Sequence, residues 1–132
     1  MLYSIMMKPP KSCYAYYYGG LPVKRSRRKG RLWIEEGKLR FEVAEGKGGE
    51  RIDLEIPPSK MEKVFLTRDN YYGTDTVLFN LTFRDQAEQS FTLRFAPVAL
   101  FPRRRIALQK AWLDYLAKAI SSGGSPSPLS TK

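Results

Sequence analysis

The strongest constraint in the chain is a change of period. Val77, Phe79, Leu81 and Phe83 alternate with Leu78, Asn80, Thr82 and Arg84, and Phe91, Leu93 and Phe95 alternate with Thr92 and Arg94. Period two means strands with one face on a core and the other toward water. From residue 103 the period becomes helical: Leu108, Trp112, Tyr115, Leu116 and Ala119 recur at spacings of three and four, and Ile106, Leu113 and Ile120 widen the stripe. A sheet of short strands followed by one amphipathic helix is therefore expected.

The rest of the chain fits that order. Residues 14–18 are aromatic and stop at Gly19-Gly20; residues 31–35 place Leu32 and Ile34 on one face and Trp33 on the other. Glu36-Gly37 reads as a tight reversal into Leu39, Phe41 and Val43. Ile52, Leu54 and Ile56 alternate with acids before Pro57-Pro58 ends that strand. Residues 63–67 read as the next strand, 68–75 as a turn-rich loop, and 96–102 as an apolar connector. The helix is expected over 103–120 and stops at Ser121-Ser122-Gly123-Gly124.

With 132 residues the chain holds one core. The expected organisation is an N-terminal extension over 1–12, a domain over 13–120, and a disordered Ser/Pro-rich tail over 121–132. About seven antiparallel strands of this length must curl to bury one face, and a single helix can plug the end of a partly open barrel. The fold class is mainly β.

Composition removes many functions. Histidine is absent and Cys13 is the one cysteine, so Ser-His or Cys-His nucleophiles, multi-ligand zinc sites and an internal disulfide are excluded. Glu35-Glu36 in a hydrated turn is no catalytic pair, and neither an enzyme nor a cofactor is expected. No apolar run approaches the roughly 20 residues needed to span a bilayer. The Asn80-Leu81-Thr82 sequon reads as accidental, and a cytoplasmic, possible peripheral-membrane location is expected.

Charge is unevenly placed. The net charge is +10, and residues 1–34 carry eight basic side chains and no acid. Lys24, Arg25, Arg27, Arg28, Lys29 and Arg31 cluster between the first two strands, which points to a polyanionic partner. A charge run is also what a solvated loop carries. A second run, Arg103-Arg104-Arg105, opens the helix, where the dipole is positive and an anion would offset the repulsion. Tyr14, Tyr16, Tyr17 and Tyr18 read as half-buried strand residues, and both tryptophans as packing residues.

The element order resembles the pleckstrin-homology-like fold, including its GRAM relatives. Arg27-Arg28-Lys29-Gly30-Arg31 leading into residues 32–41 looks like that family's second and third strands. Ile56-Pro57 followed by residues 61–64 looks like the fourth-to-fifth strand passage of GRAM members, and Trp112 matches the tryptophan of their last helix. The resemblance covers about residues 13–120 as a pattern. It implies a barrel whose first basic loop grips phosphorylated lipid headgroups, with the helix starting at the opposite end. The chain departs from the stricter phosphoinositide motif at Gly30 and at the aromatic approach 16–20, and the neighbouring loops 45–50 and 85–89 carry four acids and one lysine. Shallow contact with an anionic membrane surface or headgroup is therefore the expected function. A protein- or peptide-binding adaptor that uses a strand edge, or an acidic protein partner, is one alternative, and nucleic-acid binding by the basic N-terminal region is another.

Overall fold

The structure, a computed structural model, describes residues 8–21, 28–45, 50–71, 74–99 and 101–121. Seven antiparallel strands form one sheet: β1 (Cys13–Gly19), β2 (Arg28–Glu35), β3 (Lys38–Val43), β4 (Ile52–Ile56), β5 (Met61–Tyr71), β6 (Thr74–Arg84) and β7 (Ser90–Val98). A 3-10 turn, Pro58–Lys60, joins β4 to β5, and one helix, α1 (Pro102–Ala119), follows β7. Strand order is β4-β3-β2-β1-β7-β6-β5, so β4 and β5 are the two edges and the sheet does not close.

The sheet nevertheless curls. β3 and β7 are three places apart in the order, about 14 Å at ~4.8 Å per strand on a flat sheet. The rings of Phe41 on β3 and Phe95 on β7 have centroids 6.3 Å apart, and Tyr17 on β1 is also 6.3 Å from Phe41. Only a curved wall brings those faces together. Trp112, Tyr115, Leu116 and Ala119 of α1 are buried, and the first three join the same cluster as Phe41, Phe79 and Phe95. The helix stripe thus stoppers the curled sheet.

Local chemistry sets the corners. Glu36 and Gly37 both take positive φ, 53° and 78°, the two-residue turn that matches strand twist. At Gly20, with φ 103°, a Cβ would lie 1.7 Å from the Thr92 carbonyl oxygen, so β1 can leave the sheet against β7 only on a residue without a side chain.

Four boundaries differ from the sequence reading. β2 starts three residues earlier, at Arg28. β5 and β6 run on through 68–71 and 74–76, where Asn70 pairs with Asp75 and Tyr71 with Thr74, in place of the expected loop. This arm extends past β7, Arg68, Asp69 and Asn70 on it are exposed, and no apolar alternation marks it. β7 continues through Ala96, Pro97 and Val98, paired with β1 in place of the expected connector. By then β7 has parted from β6, and a residue without an N–H is tolerated on such an edge. Ile106, expected on the core stripe, is 65% exposed, because the helix meets the sheet only from Leu108 onward. Of the tail expected over 121–132, Ser121 continues the helix and donates to the Ala117 carbonyl at 3.1 Å, and residues 122–132 lie outside the described residues.

Candidate functional site

The register fixes which end each loop occupies. Tyr17 of β1 pairs with Arg28 of β2, and Val43 of β3 pairs with Ile52 of β4. The end of β1 and start of β2, the end of β3 and start of β4, and the end of β6 and start of β7 therefore gather at one end of the sheet. At the other end, Tyr14 pairs with Val98, so α1 begins away from the basic loop.

The six clustered cations divide three ways. Lys24, Arg25 and Arg27 lie outside the described residues. Arg28 points inward: it is 7% exposed and donates from Nη2 to the carbonyl oxygens of Ala44, at 3.0 Å, and Glu50. Its guanidinium ties the start of β2 to both ends of the β3–β4 connection, which is a structural use of the charge. Lys29 and Arg31 belong to β2, not to a loop, and stand exposed on its outer face.

Lys29 and Arg31 rest on rings. The Lys29 ammonium lies 4.7 Å from the centroid of Tyr14, and the Arg31 guanidinium 5.4 Å from that of Trp33. Neither has a carboxylate partner among the described residues. The reason is in the ladder. β1 flanks β2 on one side and contributes Tyr14 opposite Arg31 and Tyr16 opposite Lys29. On the other side Glu42 faces Arg31, but Glu42 accepts from Arg51 at 2.8 Å.

The neighbouring cations of the same face are paired. Lys38 donates to Glu55 at 2.9 Å, and Arg40 bridges Glu35 and Asp53, each at 3.3 Å. Trp33 has the Arg40 guanidinium 5.4 Å from its ring, and its indole N–H donates to Glu35 at 3.1 Å. Trp33, read from the sequence as a packing residue, is thus a half-buried platform between two arginines. Extending the β2 alternation back from Trp33 through Arg31 to Lys29 would have found the arrangement.

Other candidates are self-contained. A cleft of about 500 Å3 opens where β4 approaches the end of β6, lined by Leu54, Ile56, Phe83 and Arg84 among others. Its cations are matched: Lys38 by Glu55, Lys60 by Glu88, and Arg84 by Glu88 at 2.8 Å. At the loop end, Asp85 accepts from the Ala87 and Gln89 amides, both at 2.9 Å, and so holds its own turn. Arg103, Arg104 and Arg105 are exposed at the start of α1. Asn80 is 4% exposed and donates to Thr67 at 2.9 Å, which leaves the sequon inaccessible in the folded chain. Burial pushes the Cys13 thiol up to about 11, against a smaller downward pull from the Trp112 indole, so its thiolate is scarce at neutral pH.

No three or more acidic or Cys side chains among the described residues are grouped to hold a metal ion. No described helix is long and apolar enough to cross a membrane. A scan of the chain against protein-family models found no match, and a search of curated proteins found none either.

Proposed function

We propose that the protein is a non-enzymatic binding module that docks on an anionic membrane surface through the outer face of β2. Lys29 and Arg31 lead the contact, and Lys24, Arg25 and Arg27, the adjoining residues of the chain, extend it. One observation carries this reading: those two exposed cations rest on aromatic rings and are ion-paired with no carboxylate among the described residues, while Lys38, Arg40 and Arg51 nearby are all ion-paired. Tyr14, 54% exposed, and Trp33 add amphipathic rings suited to the headgroup zone. Each cation near an anionic leaflet contributes roughly 1 kcal/mol, so five could supply about 5 kcal/mol as an upper value. The pleckstrin-homology-like element pattern supports the same reading, since it puts basic residues before and within the second strand. The acids of the neighbouring loops favour contact across this face over a deep headgroup pocket.

Co-sedimentation with phosphatidylcholine vesicles, with and without phosphatidylserine, tests the proposal. Binding is expected only with the anionic lipid, and added salt should weaken it. Equal binding to both vesicles, or to neither, overturns it. Tighter binding to a single-stranded oligonucleotide than to the anionic vesicles would favour nucleic acid instead.

A further inference from the structure

The two sheet edges are unequal. β4 has five residues and β5 eleven. β5 pairs with β6 along its length and with no other described strand. An edge of this kind presents a row of free N–H and C=O groups to any incoming strand. Its middle is apolar and accessible: Phe65 is 39% and Leu66 43% exposed. Lys63 and Asp69, also exposed, flank that middle.

We propose that two copies of this chain pair antiparallel along β5, with Leu66 opposite Leu66 of the second copy. Charge selects both the occupant and the register. In this alignment Lys63 faces Asp69 of the second copy, twice by symmetry, and Phe65 faces Thr67. Lys63, Phe65, Thr67 and Asp69 share one face of the strand, as residues directly opposite must. Because opposite residues share a face, the register slides by two, and either slide separates Lys63 from Asp69, setting Asp69 opposite Phe65 or opposite Met61. Like charges directly opposite destabilise a ladder, and opposite charges stabilise it. The register centred on Leu66 is thus the one in which Lys63 and Asp69 of the two copies complement each other. Pairing also covers the Leu66 side chain that the monomer leaves at the sheet edge.

A single strand pair is a small interface, so the association belongs to the weak class. The net charge of +10 opposes it at low salt, and physiological salt, with a Debye length of about 8 Å, screens that repulsion. Sedimentation velocity of the full chain at that salt, from micromolar to millimolar concentration, reads the effect. The wild type is expected to move from monomer to dimer. Lys63→Asp and Asp69→Lys, each checked for folding by circular dichroism, are expected to stay monomeric where the wild type is dimeric. An equimolar mixture of the two variants is expected to recover the dimer, because each like-charge row becomes an opposite-charge row in the mixed pair. A wild type that stays monomeric, single variants that associate as well as the wild type, or a mixture that stays monomeric would each overturn the proposal. So would a monomeric wild type that binds an unrelated extended peptide along β5.

Discussion

Five cations stand side by side on the outer face of the β2–β3–β4 wall, and they meet two different fates. Lys38, Arg40 and Arg51 are woven into Glu35, Glu42, Asp53 and Glu55. Lys29 and Arg31, one strand away, lie on Tyr14 and Trp33. The difference follows from where the acids are. No acid occurs before Glu35, so β1 and the first seven residues of β2 cannot supply a carboxylate. β3 and β4 can, and their cations are consumed internally. Surface charge therefore counts toward a partner only after the intramolecular pairs are subtracted.

Arg28 offers the sharpest way to break that division, because it is adjacent to Lys29 and buried. Arg28→Ala removes charge-assisted bonds to two carbonyls and should cost about 3 kcal/mol of stability in denaturant unfolding. If the variant instead keeps its stability and loses vesicle binding, Arg28 belongs with the free cations. Next in size, Arg40→Ala should cost about 1 kcal/mol, as expected for partly exposed pairs plus contact with Trp33, and should leave vesicle binding nearly intact.

The smallest effect is with pH. A hydrogen bond from Lys38, reinforced by its charge, holds the Glu55 carboxyl below its ordinary 4.5, and Lys60 does the same to Glu88. Lowered carboxyls lend stability that is present above 4.5 and lost as pH falls through their folded values. Lys38 is raised above 10.5 by its hydrogen bond to Glu55, so its share is full below 10.5 and is lost as pH rises through the higher folded value. Thermal unfolding should show a plateau around neutrality with small losses on both sides. Lys38→Met should reduce the Glu55 part of the acid loss and remove the alkaline one. An unchanged profile would mean that the paired network contributes nothing.

Much of this architecture was legible from the residues. The β6 and β7 alternation, the Glu36-Gly37 turn and the Trp112 stripe are places where one face meets the core, and burial writes its period into the sequence. The β5–β6 arm past Thr67 was not legible, since it extends beyond β7 and its polar residues 68–70 are exposed, which leaves no apolar period. The site was half legible. The cluster of cations is visible in the chain, but the assignment of Arg28 inward and Lys29 outward depends on where β2 begins, and Arg28 breaks the rule that a charged side chain faces water. The pairing of Glu42 with Arg51 rather than Arg31 is set by cross-strand geometry that no spacing reveals.

The most direct test compares two variants of equal net charge. Lys29→Ala/Arg31→Ala and Lys38→Ala/Arg40→Ala each remove two positive charges from the same face of the sheet. In co-sedimentation with phosphatidylserine-containing vesicles, the first should lose about 2 kcal/mol, roughly thirtyfold in affinity. The second should change binding only a few-fold. Equal losses would show that total charge alone governs the contact and that the ring-backed cations of β2 have no special role.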